Sequence, residues 1–240
     1  QAARDLNGTP FELMKQGLPG IPRPDEWLRE MLPKGARITV DGTVLPDATV
    51  ESMEKMFAAR DIELVTGLDL IGSVWSDRPP LPSGKIFEHA IEFTGRETSD
   101  KIAEVREKMR RDGADFALYV GLDDIAWLMN FRGSDVPNNC VALAFALVLP
   151  DTALLFIDEN KVDNDIKAAF VEQGVELRDY RAVFNAVREL PEGVLVADTT
   201  RVSRALIEAV PPHVRILKKS DYPYLMKAVL NETELFCQFR

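Results

Sequence analysis

Histidine and cysteine are nearly missing from this sequence, which has two of each in 240 residues. Cys140 and Cys237 are too few for a disulfide framework, and two scattered thiols point to a reducing, cytoplasmic setting. His89 and His213 stand far apart, and no H-E-x-x-H string occurs. Neither has a carboxylate–His cluster around it, so each is expected to pack or to lie at the surface and not to bind metal. No G-x-G-x-x-G or Walker pattern is present, so nucleotide binding has no support. Apolar runs are short. The run from Val141 to Leu149 is too short to cross a bilayer, and nothing resembles a signal peptide. Cationic residues are the minority, 29 Lys and Arg against 39 Asp and Glu, and the net charge of −10 argues against a nucleic-acid binder.

What is there is an ordinary globular composition, 46% apolar and 28% charged, long enough for one large or two small domains. Residues 1–77 read as a first unit. It has a helix from Asp25 to Leu32, a strand from Arg37 to Val40, a helix from Val50 to Ala59 with Val50, Met53 and Phe57 as its stripe, and a strand from Ile62 to Val65. That is a thin core for a free-standing domain, so strands are expected upstream. Gln1 in place of an initiating Met also suggests a piece of something longer. Residues 78–84, Arg-Pro-Pro-Leu-Pro-Ser-Gly, read as an interdomain linker, preferred to a proline-rich SH3 ligand.

Residues 85–222 read as a second, complete unit of alternating strands and helices. Pro150 in the turn Leu149-Pro150-Asp151-Thr152 folds the apolar run back into Ala153–Ile157 as an antiparallel hairpin. The pattern predicts an α/β fold with a mixed sheet and helices on its faces. Further helices are expected over Ser99–Gly113, Lys161–Gln173, Ala182–Glu189 and Ser203–Ala209. Residues 223–240 read as a helical tail with Met226, Val229 and Leu230 on one side.

The chain is organised around Gly121–Leu149. Asp123 and Asp124 open a short helix with Ile125, Leu128 and Met129 on its buried face, and a polar loop from Arg132 to Asn139 leads into the Val141–Leu149 run, read as a buried central strand. Adjacent acids on a helix diverge, so one cap and one solvated acid are expected there instead of an acid/base pair. Cys140 is expected to be a buried, inert thiol. Asp158, Asn160, Asp163 and Asp165 suggest a calcium loop, but Asp163 fills the position that requires Gly, so they are read as helix-start acids. Arg132 and Asp135 are the substrate-facing candidates. The plainer alternative is a local ion pair between them.

The string Asp124, Ile125, Trp127, Leu128, Asn130, Arg132, Gly133, Ser134, Asp135 resembles the D-x-I-x-W-L-x-N-x-R-G-S-D stretch of aminopeptidase P, within the creatinase/prolidase ("pita-bread") metalloenzymes. VWSDRPPLP and LMKAVLNETEL resemble further parts of the same family. Asn138 and Cys140 depart from it, standing where an aromatic or His and a Pro are usual. The resemblance implies creatinase-N-like domains, the first incomplete, leading into a catalytic domain that is absent here. It also implies a parent enzyme that removes the N-terminal residue preceding proline with a divalent metal, usually manganese, held by two Asp, one His and two Glu of that later domain. No catalytic residue and no metal ligand is then expected in this segment, which would shape the cleft for peptides with proline second and mediate contacts in a possible homodimer. The alternative is a non-catalytic binding module, like the related fold in a histone chaperone, whose basic partners the acidic balance would suit.

Overall fold

The computed structural model describes residues 1–239. The first part holds α1 (Ala2–Asp5), α2 (Pro24–Met31), β1 (Arg37–Thr39), α3 (Asp47–Ala58), β2 (Glu63–Val65) and α4 (Leu70–Val74). Pro24 pre-sets the first turn of α2, and Glu26 reaches back to accept from the Arg23 N–H at 2.9 Å. Trp27 and Met31 nevertheless stay exposed. The core of this part is α3, which buries Val50 and Phe57 against the parallel pair β1–β2.

Residues 78–84 contain no helix or strand. Beyond them come β3 (Phe87–Glu88), α5 (Ile91–Thr94), α6 (Thr98–Arg111), β4 (Phe116–Tyr119), α7 (Leu122–Leu128), β5 (Phe131–Arg132), β6 (Ala144–Val148) and β7 (Ala153–Ile157). After a 3-10 turn at Glu159–Lys161 follow α8 (Asn164–Glu172), β8 (Val175–Arg178), α9 (Val183–Arg188), β9 (Gly193–Ala197), α10 (Arg204–Glu208), β10 (Val214–Lys218), α11 (Tyr222–Met226) and α12 (Glu232–Gln238).

Six strands form one mixed sheet in the order β10-β9-β4-β6-β7-β8. The β10–β9, β9–β4 and β7–β8 pairs are parallel, while β4–β6 and the β6–β7 hairpin are antiparallel. The fold class is therefore the mixed α/β one that the pattern implies. Successive side chains of β4 alternate between two cores, as strand geometry requires. Ala117 and Tyr119 join the layer with Ile102, Val105, Ile125 and Leu128. Phe116 and Leu118 join the layer with Val183, Val187 and Leu206.

Several expected boundaries shift for local reasons. α6 begins at Thr98, with Glu97 as its cap residue instead of Ser99, whose N–H is taken by the Gln173 side chain at 3.0 Å. Lys161 opens no helix. It is buried in the 3-10 turn, and α8 starts three residues later behind Asp163. The tail is two short helices, so Met226 is buried while Val229, in the break between them, is exposed.

Candidate functional site

The stretch from Gly121 to Asp135 leaves the sheet at the end of β4, climbs α7, turns, and returns as β5 beside β3. Gly121 sits where a Cβ would collide with the Asp124 carboxylate and the Arg201 guanidinium. The turn after α7 is made by Asn130 at φ 51°, a left-handed conformation that Asn tolerates better than most residues. Its side chain holds the turn by donating to the Arg96 carbonyl at 2.8 Å and accepting from Lys101 Nζ at 2.6 Å.

Lys101 is fully buried, and among the described residues no carboxylate forms an ion pair with it. Its ammonium donates to Asn130 and to the Trp127 carbonyl at 2.8 Å, and lies 4.3 Å from the centre of the Trp127 ring. Burial pulls its pKa down to about 8. Sequence reading passes over such a residue, because a lone lysine in an amphipathic helix reads as its solvated side. The only signal was its place one residue before Ile102 of the buried stripe.

Arg132 is half-buried, and Nη1 donates to the carbonyls of Phe131 at 2.8 Å and Ala126 at 3.1 Å. Burial lowers its pKa, but a guanidinium stays charged. It lines an open groove of about 650 Å³ with Trp127, Cys140, Tyr224 and Glu234. Asp135 goes elsewhere. Its carboxylate is buried, paired with Lys161, and accepts from the Leu143 N–H at 2.7 Å. The local Arg132–Asp135 ion pair is thus not formed. Asp135 is drawn inward to a buried ammonium, while Arg132 is taken up by carbonyls on the groove side. Gly133 between them packs so tightly that a Cβ would stand 2.8 Å from that of Ala142. Its N–H reaches the Cys140 carbonyl at 3.3 Å, and Asp135 N–H reaches that of Val141 at 3.0 Å. Val141 and Ala142 are buried, but the Val141 backbone bonds to Asp135 and Asn139 of this loop, and the strand begins only at Ala144. Cys140 is exposed, not buried, because it lies on the outer side of the loop at the groove.

Of the two adjacent acids, Asp123 is exposed and Asp124 is buried, and neither caps α7, whose cap residue is Gly121. Arg201 and Lys227 both pair with Asp124, Lys227 Nζ at 2.7 Å from Oδ1, and both also reach Asp123. Arg201 comes within 3.5 Å of buried Asp221, whose pKa burial raises to about 7. His89 stacks on Phe93, and His213 Nε2 sits 2.8 Å from the Leu190 carbonyl, both packing roles. Asp158 caps the 3-10 turn, accepting from the Asn160 N–H at 3.0 Å. Among the described residues no group of three or more His, Cys, Asp or Glu is placed to hold a metal ion. These side chains do not meet the donor set that a metal centre needs.

The chain belongs to the creatinase/prolidase N-terminal domain family, which matches residues 77–234. It is 32% identical over 88% of its length to a probable Xaa-Pro aminopeptidase P of Coprinopsis cinerea, and 35% identical over 82% to aminopeptidase P1 of Arabidopsis thaliana. The matched parts are 36% and 30% of those proteins, so the chain spans about a third of the relatives' length. The crystal structure of the X-prolyl aminopeptidase from Caenorhabditis elegans, described as a cytosolic enzyme with a di-nuclear active site, superposes with a TM-score of 0.86 at 27% identity. The match covers 94% of this chain and 38% of that one. No helix among the described residues is long and apolar enough to cross a membrane.

Proposed function

We propose that this chain is the non-catalytic N-terminal part of a metal-dependent, cytoplasmic Xaa-Pro aminopeptidase, which removes the N-terminal residue when proline follows it. The observation that carries the reading is the fit of nearly the whole chain to part of an X-prolyl aminopeptidase. The divalent metal, manganese in this reading, would be held by residues of the whole enzyme other than those described here. The 240 residues alone are then inactive, and their task is to wall the substrate cleft and to contribute to contacts between subunits in a homodimer.

Arg132 is the residue we assign to the cleft. Two backbone carbonyls hold one terminal nitrogen, which fixes the plane of the fork. The groove beside it, with Trp127 and Tyr224 as apolar walls, has the size of a short-peptide site. A fixed guanidinium there suits a peptide carbonyl or carboxylate. Asp135, buried against Lys161, supports the loop and does not itself reach the groove.

The test is Arg132→Ala in the whole enzyme. Losing the hydrogen bonds of a half-buried, charged guanidinium to two carbonyls should cost about 1.5–3 kcal/mol of stability. The kcat/KM for Xaa-Pro peptides should fall about tenfold or more, as loss of a charge-assisted contact would cause. Unchanged kinetics would remove Arg132 from the cleft.

A further inference from the structure

The two strings that most clearly mark the family, Asp124–Asp135 and Lys227–Leu235, lie about a hundred residues apart and meet in space. Asp124 and Trp127 are spaced i, i+3 on α7, which puts both on the side facing the tail. Asp124 and Asp123 pair with Lys227, at the end of α11. The Trp127 indole N–H donates to Glu234 Oε1 at 3.1 Å. Glu234 also accepts from the Asn231 N–H at 2.9 Å and Asn231 accepts from the Glu234 N–H at 3.0 Å, the reciprocal cap that starts α12. The Asn231 amide then donates to the Thr94 carbonyl at 2.8 Å. On the domain side, Trp127 is braced from behind by Lys101.

Tyr222 and Met226 seat α11 in the core, but the rest of the tail is not held by hydrophobic burial. Leu225, Val229 and Leu235 are 54%, 76% and 43% exposed, whereas Asn231 and Glu234 turn inward. A helix with its polar residues on the domain and apolar residues outward is held by specific polar contacts, whose geometry is directional. We infer that the Asp124–Lys227 and Trp127–Glu234 contacts form a two-point latch that sets the angle at which the chain leaves this domain, making Trp127, Lys227 and Glu234 positioning residues for the catalytic part that follows. This rests on the enzyme reading above, because only a following catalytic part gives the angle a consequence.

The latch is tested on the chain itself and then in the whole enzyme. Cys140 is replaced by serine, a spin label is placed on native Cys237 in α12, and a second goes on Val171→Cys at the exposed side of α8. The unaltered latch should give one narrow distance distribution. Trp127→Phe combined with Lys227→Met leaves the α12 cap intact and should broaden it. Glu234→Gln, which keeps an acceptor for the indole, should leave it narrow. In the whole enzyme the double variant should lose about tenfold in kcat/KM, the scale of a small misplacement, mainly in kcat and with little change in thermal midpoint. A distribution as narrow as the unaltered one in the double variant overturns the latch. A broadened distribution with unchanged turnover overturns its positioning role. An unaltered whole enzyme without Xaa-Pro activity overturns the enzyme reading instead, and is told apart by the distance result.

Discussion

Lys161 and Asp135 carry opposite charges in a place that water does not reach. Neither is exchangeable alone, because removing one leaves the other buried and uncompensated. Asp135→Ala should therefore destabilise the chain by about 3–5 kcal/mol, read by urea denaturation, and the combined Asp135→Leu, Lys161→Met should recover most of that loss. If the double variant is no better than the single one, packing around the Asp135 backbone, and not the ion pair, is what matters. At this scale the sequence was least legible. Lys101, Lys161 and Asp124 are of types that usually lie in water, and what buries each is a partner elsewhere in the chain: Asn130, Asp135 and Arg201. Spacing along one helix carries no trace of those partners. Arg132 and Asp135 were legible as a polar pair in a fixed loop, but not as residues that turn to opposite sides of it.

Elements were read more faithfully where one local signal decides them. Pro150 in a four-residue turn between two apolar runs specifies the β6–β7 hairpin, and the turn length sets its register, Val148 opposite Ala153. Gly113 and Gly174, at φ 64° and 73°, follow α6 and α8 where the pattern stops. The tail failed that logic. The Met226, Val229, Leu230 spacing fits one helix, but Asn231 restarts the helix with its own cap, and the apolar residues are not the docked side. α11 also begins under strain from Asp221, buried among Asp123, Asp124 and Asp198 with Arg201 as the nearest cation. Its carboxyl pKa is about 7 in the fold against an ordinary 3.8. The folded state therefore binds more protons than the unfolded state between those values, and stability falls as pH rises across that window. Asp221→Asn should stabilise the chain more at pH 8 than at pH 4 by about 2–4 kcal/mol. Thermal midpoints across pH read this directly, and a pH-independent difference would show that the Asp221 pKa is the same in the folded and unfolded states.

At the scale of the molecule, we take residues 1–77 and 85–222 as two units joined by the 78–84 linker and followed by the 223–239 tail. The units do not merely hang on that linker. Arg204 in α10 pairs with Asp47 and Glu54 of α3, each at 2.8 Å, and the Asp47 and Ala48 N–H groups donate to the Val202 and Thr199 carbonyls at 2.9 Å. Asp47 is buried in this contact. Exposed backbone at residues 78–83 should be the first site of limited proteolysis. The nicked pieces should still elute together until Arg204→Ala is introduced. Separation of the pieces without that substitution would mean the contact is too weak to join them. The composition suggests two units with a linker between them. It could not foresee the Arg204 contact, which depends on residues far apart in sequence meeting in the fold.

The central claim is that these residues serve a proline-directed aminopeptidase without performing its chemistry. The most direct measurement is release of the first residue from matched Xaa-Pro and Xaa-Ala tripeptides, with and without added manganese, by the whole protein and by the 240-residue chain. The account predicts metal-dependent cleavage of the Xaa-Pro peptide by the whole protein and no cleavage by the chain. Cleavage by the chain alone, or no preference for proline in the whole protein, would contradict it.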